Sequence, residues 1–221
     1  GLGYRDTVGH LPDGTWVMDS VPDWVPTEAA FLAEIRSPRW GVAILPWTPG
    51  GTIRLVEPGG LVVQLRGHEG VGIECDLHKR WDPLPDSHNV ASRSAVSADG
   101  KLGFEPLQPG SFTVVVSVKG HEDGRHWPFV AREVRVRSGH VEQIAVDVPD
   151  EFHDLVMLIQ RTGKILVART VGEIRSQYEY RAKPGQTRLK GLPRGRYQLL
   201  DENEEAILDF DVPHEGALRV P

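Results

Sequence analysis

Apolar residues recur at every second position in short stretches of this chain, and each stretch is closed by glycine, proline or charged residues. Leu61, Val63 and Leu65 share one face of such a stretch. Val71, Ile73, Cys75 and Leu77 share one face of the next, with the turn Gly67-His68-Glu69-Gly70 between them. A period of two marks a β-strand with one face buried, because successive side chains point to opposite sides of a sheet. The arrangement returns as a strand over 155–159, a turn at Arg161-Thr162-Gly163-Lys164 and a strand over 165–169. Residues 112–118 form a nearly continuous β-branched run, as expected for a strand covered on both faces. Closing hairpins are expected where 134–137 turns at Ser138-Gly139-His140 into 144–148, and where 207–212 turns at His214-Glu215-Gly216 into 217–220. A third joins 42–44 to 53–55 through a turn over 46–51. Helical signals are scarce. The best, over 27–36, has Thr27 as an N-cap after Pro26, but Ala29, Phe31, Ala33 and Ile35 also alternate. Its place relative to the repeats described next favours a strand.

One phrase occurs three times with drift. Asp13-Gly14-Thr15-Trp16-Val17-Met18 returns as Asp99-Gly100-Lys101-Leu102-Gly103-Phe104, followed by Leu107, and again as Thr187-Arg188-Leu189-Lys190-Gly191-Leu192-Pro193. The later copies continue as Pro109-Gly110-Ser111-Phe112 and Arg194-Gly195-Arg196-Tyr197. Self-similarity of this kind indicates repeated structural units. Asp-Gly supplies a tight turn. The apolar residues two apart point inward, and Leu107 and Leu192 plug the strand end. Folding accounts for every position, so the phrase identifies architecture rather than chemistry.

Composition narrows the function classes. Glycine (24) and proline (17) in 221 residues suit a turn-rich β protein, and 39% hydrophobic content suffices for packed cores. A net charge of −6 gives no broad basic field, which argues against nucleic-acid binding. Apolar runs are far too short for a membrane-spanning helix, so no membrane insertion by this chain is expected. A single cysteine, Cys75, excludes an internal disulfide and any cysteine-based metal cluster, and its strand-like setting reads as a small buried hydrophobe.

The pattern Asp-Gly-x-Leu-x-Phe-x-x-Leu-x-Pro-Gly-x-Phe-x-Val, placed after Gly59-Gly60-Leu61-Val62-Val63-Gln64-Leu65, resembles the carboxypeptidase regulatory-like domains of the prealbumin-like β-sandwiches. Collagen-adhesin B-type repeats share that general build. The expected fold is therefore all-β: tandem small antiparallel β-sandwiches of prealbumin-like type. Residues 59–149 form a complete unit and 150–221 a second, shorter one. Residues 1–58 match only the later half of a unit, with no opening hairpin recognisable before Asp13. Either the missing strands lie upstream in a longer parent, the favoured expectation, or residues 1–12 do more than their sequence suggests. The resemblance implies a secreted or cell-envelope setting and a non-catalytic role. Expected partners are neighbouring domains of the parent, another envelope protein or a glycan.

Candidate chemistry is thin. His121-Glu122-Asp123-Gly124-Arg125-His126 is the densest group of potential ligands, and His121, Glu122, Asp123 and His126 are weak candidates for a divalent metal in what reads as a polar loop. Asp82 to His88 reads as a second acidic loop. Neither a Gly-x-Ser-x-Gly elbow nor a glycine-rich phosphate loop occurs, so no catalytic residue and no cofactor is expected. The tryptophans are more suggestive. Trp24, Trp47, Trp81 and Trp127 lie in or near expected loops, where exposed aromatics stack on sugar rings or dock on proteins. The favoured alternative is packing between adjacent units, with Trp24 and Trp47 cementing the linkers. Two functional expectations follow: a spacer and docking module, or a carbohydrate-binding module using those tryptophans.

Overall fold

A computed structural model of the chain describes residues 8–10, 16–18, 31–47, 54–67, 72–81, 84–93, 96–97, 99–119 and 126–221; over 8–10, 16–18, 31–36, 42–47, 80–81 and 84–93 it describes the backbone alone. Among the described residues every regular element is a strand. The chain is all-β, built from β-sandwiches.

Among the described residues four strands precede the first sandwich: β1 (Val8–His10), β2 (Trp16–Met18), β3 (Phe31–Ser37) and β4 (Gly41–Trp47). The first sandwich comprises β5 (Gly59–Arg66), β6 (Ile73–Trp81), β7 (Leu84–Arg93), β8 (Lys101–Leu107), β9 (Gly110–Lys119), β10 (His126–Val136) and β11 (Val141–Asp147). One of its sheets is ordered β10-β9-β6-β7 and the other β11-β5-β8, which β4 and β3 extend. Both bury their apolar faces in one core that holds Leu61, Val63, Cys75, Phe104, Phe112 and Ile144.

The second sandwich repeats this plan strand for strand. It comprises β12 (Phe152–Ile159), β13 (Gly163–Val171), β14 (Ile174–Ala182), β15 (Gly185–Pro193), β16 (Gly195–Leu200), β17 (Ala206–Val212) and β18 (Leu218–Val220). Its sheets run β14-β13-β16-β17 and β15-β12-β18, the same neighbours in the same roles. The repeated phrase is thus one strand seen twice, as β8 and β15. Between Phe104 and Leu107 it holds one residue more than the partner holds between Leu61 and Gly59. The same surplus separates Leu189 and Leu192 from Leu155 and His153. A bulge therefore turns the period of two into a step of three, which keeps both apolar residues facing inward. The first copy differs, since β2 pairs antiparallel with β1. That hairpin occupies a stretch in which the sequence showed no opening strand.

Several expected hairpins are instead crossings between sheets. β5 and β6 lie in opposite sheets, as do β12 and β13. The chain after β10 crosses over, and β11 joins β5 in parallel, with Val141 opposite Gly60. β17 and β18 behave alike, β18 pairing in parallel with β12. The physical reason is that alternation marks which face is buried, and both sheets bury their faces in the same core. Val136 from one sheet and Val146 from the other meet there. Hairpins do form at β3–β4, β6–β7, β9–β10, β13–β14 and β16–β17. The stretch read as an acidic loop around Asp86 and His88 is largely strand β7.

β3 settles the helix-or-strand choice at 27–36 as a strand for its described part. It turns into β4 at Pro38-Arg39-Trp40, while residues 54–55, the described part of the stretch expected to pair with 42–44, form no strand, nor do 56–58. Gln108 holds them instead. Its side chain, 4% exposed, donates to the carbonyls of Trp40 (2.8 Å) and Val56 (2.9 Å) and accepts from the Val56 N–H (3.1 Å). Gly41 completes the contact, because a Cβ there would sit 2.0 Å from the Pro106 carbonyl oxygen. Replacing Gln108 by leucine strands three backbone groups. The expected cost is roughly 2 kcal/mol, read as faster amide exchange in β3 and β4 with the β5–β11 core unchanged; uniform exchange across both would contradict the clamp.

Candidate functional site

The clearest constructed site is the junction between the sandwiches. It starts at the first residues of β10, where His126 pairs with Lys119 and Trp127 with Val118 across the ladder. Trp127 is 2% exposed, and together with Val118 it belongs to the core of the second sandwich. Its ring meets Tyr178 of β14 edge-on at 4.7 Å and Tyr197 of β16 at 5.6 Å. Such aromatic pairs add about 0.5–1.5 kcal/mol each beyond the area they bury. Phe129 and Phe152, in edge contact at 6.5 Å, pack against both cores.

Polar contacts fix the same joint. The Tyr178 phenol accepts from the His126 N–H at 2.9 Å and donates to the His126 carbonyl. The His126 ring pairs with Glu74 on β6. At the other edge of the contact, a Cβ on Gly172, in the β13–β14 turn, would stand 3.4 Å from the Ala131 Cβ. Ala131 is the cross-strand neighbour of Val115, which is buried on the outer face of its sheet. The β-branched run was expected to be covered on both faces, and it is.

The equivalent strands β8 and β15 are each approached by earlier strands, and β10 lies against β13 and β14 as well. β4 bridges to β8 with Val42 opposite Leu107. β10 and β9 approach β15 in the second sandwich. A second repeated device lies behind that edge. Arg169 on β13 is buried, and donates to the carbonyls of Pro193 (2.8 Å) and Arg194 (2.9 Å) and to the Tyr197 phenol, its guanidinium 5.0 Å from the Tyr197 ring. Lys79 holds the matching place on β6, 5.3 Å from the Phe112 ring, and burial lowers its pKa. Gly110 and Gly195 make room for these heads: a Cβ on either would lie 3.2 Å from Lys79 Nζ or 3.1 Å from Arg169 Nη2. Sequence reasoning missed Gln108, Lys79 and Arg169, since nothing local distinguishes them from solvated polar residues. Their offsets from the Gly-x-Phe/Tyr step give no signal either, since Lys79 precedes Gly110 by 31 residues and Arg169 precedes Gly195 by 26.

Trp127 is corrected from loop aromatic to core residue, because no ring face is left open there for a sugar. Trp47 ends β4 opposite Phe31, and Trp81 ends β6 opposite Leu84, both known as backbone positions only. Trp24, His121, Glu122 and Asp123 lie outside the described residues. His126 sits at the junction, on Glu74. Among the described residues no group of three or more histidine, cysteine, aspartate or glutamate side chains is arranged to hold a metal ion. Cys75 occupies the position that Ile165 holds in the second sandwich, both fully buried. Burial, aided by Asp76 and Glu74, pushes its thiol up to about 12, so it is no nucleophile at neutral pH.

No family model and no curated protein matches the chain. Among solved structures it is similar to a streptococcal ancillary pilin, 13% identical over 96% of this chain and 75% of the pilin, with a TM-score of 0.34. The Bacillus anthracis TIE protein is 12% identical over 89% of this chain and 43% of its own length, TM-score 0.27. A DUF3823 family protein from Parabacteroides merdae is 10% identical over 65% of this chain and 90% of its own, TM-score 0.30. At such TM-scores none of these likenesses assigns a family to the chain.

Proposed function

We propose that this chain is a non-catalytic spacer and docking module of a larger secreted or cell-envelope protein. In this reading residues 59–149 and 150–221 are successive units, and 1–58 belongs to a preceding one. The observation that supports it is the apolar, aromatic joint at Trp127, which packs one sandwich into the core of the next. A short connection at Val148-Pro149-Asp150 leaves little slack between β11 and β12. Interfaces between domains that move freely are more polar than this. The module then works by holding whatever flanks it at a fixed separation and angle.

Small-angle scattering of the purified chain tests the reading. A single rigid particle is expected, its scattering curve matched by one conformation and unaltered by salt. A curve that requires a continuum of relative positions of the two sandwiches would sink the spacer proposal.

A further inference from the structure

The two sandwiches treat one edge differently. β7 closes the edge of its sheet in the first sandwich, and its pairing with β6 is broken by register shifts between Leu77 and His78 and between Arg80 and Trp81. Such bulges twist an edge away from further pairing. β14 stands in the same place in the second sandwich, yet pairs with β13 without a shift from Gly163 opposite Ala182 to Val171 opposite Ile174. It is a straight edge nine residues long. Among the described residues no backbone hydrogen bond reaches its other side from a further strand.

The side chains along β14 alternate cleanly. Arg175, Gln177, Glu179 and Arg181 are exposed on the outer face, and Ile174, Ser176, Tyr178 and Tyr180 are half-buried on the inner one. Glu173 is exposed in the turn just before. This charge order is self-complementary about Gln177. When two copies are laid antiparallel with Gln177 opposite Gln177, each Arg175 faces Glu179 of the other and each Arg181 faces Glu173. Sliding by one pleat either way destroys the match. One slip puts Arg175 opposite Arg181, and the other puts Glu173 opposite Glu179. Opposite charges directly across a ladder stabilise it and like charges oppose it, so the pattern selects a single register. Within the sheet Glu179 also takes a diagonal ion pair from Lys164 of β13, 3.0 Å, with Lys164 itself opposite Arg181.

We propose that β14 is a homotypic pairing edge through which a second copy of this chain adds its own β14, joining the two β14-β13-β16-β17 sheets about a two-fold axis at Gln177. Such an interface is isologous, as closed dimers require. It is stitched by backbone hydrogen bonds with charge setting the register, so the association is salt-sensitive and modest in area. The pairing stands apart from the spacer reading, which a monomer satisfies equally.

Sedimentation of the full chain over a concentration series tests the proposal. A reversible monomer–dimer equilibrium is expected at low ionic strength, with dissociation favoured several-fold as salt rises. Arg175→Glu alone and Glu179→Arg alone each set like charges opposite one another and should remain monomeric, whereas an equimolar mixture of the two should dimerise. A second measurement fixes the register. Residues directly opposite have Cα atoms about 4.5–5.5 Å apart, within disulfide reach of about 4.4–6.8 Å. Gln177→Cys should therefore cross-link to its own copy on oxidation. Arg175→Cys should not, since its two copies would stand about 13 Å apart along the strand. A wild-type chain that stays monomeric at its highest soluble concentration overturns the proposal. So does an Arg175→Glu variant that dimerises like wild type, or equal cross-linking at both cysteine positions.

Discussion

Replacing Trp127 with alanine is expected to destabilise the protein by about 3–5 kcal/mol, the range for removing a large buried aromatic, and to split its unfolding into two transitions. The loss has an unusual address. Trp127 belongs by sequence to β10 of the first sandwich but fills the core of the second, between Tyr178 and Tyr197. The cavity therefore opens in one sandwich through a change made in the other. Phe129 and Phe152 still touch both cores, but the Tyr178–His126 hydrogen bonds lose the ring that excludes water from them. Urea denaturation followed separately by tryptophan fluorescence and far-ultraviolet dichroism reads the result. Coincident curves for the wild type and separated curves for Trp127→Ala are expected. A shift below about 0.5 kcal/mol, within the range of ordinary surface substitutions, would show that the joint does not couple the two cores.

Alkaline pH should weaken the first sandwich before the second. Burial raises the Cys75 thiol from 9.0 to about 12 and the Tyr197 phenol from 10.0 to about 12, the latter against the opposing pull of Arg169. In both cases the folded protein keeps a proton that the unfolded chain gives up. Their stabilising effect is thus complete below the unfolded values and drains away as pH rises toward the folded ones, at about 1.4 kcal/mol per pH unit for each group. Between pH 9 and 10 only Cys75 contributes to the decline, and by pH 12 its share reaches about 4 kcal/mol. Lys79 acts with the opposite sign, since its lowered pKa makes the unfolded chain the better base. Comparing wild type with Cys75→Val cancels it. Valine is apolar like Ile165 at the matching position, and the variant should keep its stability from pH 9 to 10 while the wild type loses it. Parallel pH profiles for the two proteins would show that the thiol is not held neutral by the fold.

The alternation of Leu61, Val63 and Leu65, and of Leu102 and Phe104, was enough to read β structure, because burial on one face leaves a period of two in any strand. The repeated phrase was enough to place β8 and β15 in equivalent roles. Which strand pairs with which was not legible. Turns such as Ser138-Gly139-His140 look alike whether the chain folds back within a sheet or arches over to the other, since the next apolar residues enter the same core. The junction was hidden for a different reason. Trp127 is set among His121, Asp123 and Arg125, and only the arrival of Tyr178 and Tyr197 from distant sequence makes its position buried. Arg169 and Gln108 depend likewise on backbone carbonyls brought from other strands, and carbonyls leave no mark in a sequence.

The parallel pairing of first and last strands has a mechanical meaning. A pull along the chain enters the first sandwich at β5 and leaves it through β11, and those strands are bonded side by side from Gly60 opposite Val141 to Arg66 opposite Asp147. Tension of that kind acts along the strands and shears all seven residue pairs together, instead of unzipping them one after another. The second sandwich offers the same geometry through only three pairs, Met157–Leu218 to Ile159–Val220. Under load the two repeats are therefore unequal, and the shorter clasp is the one closer to the carboxyl end.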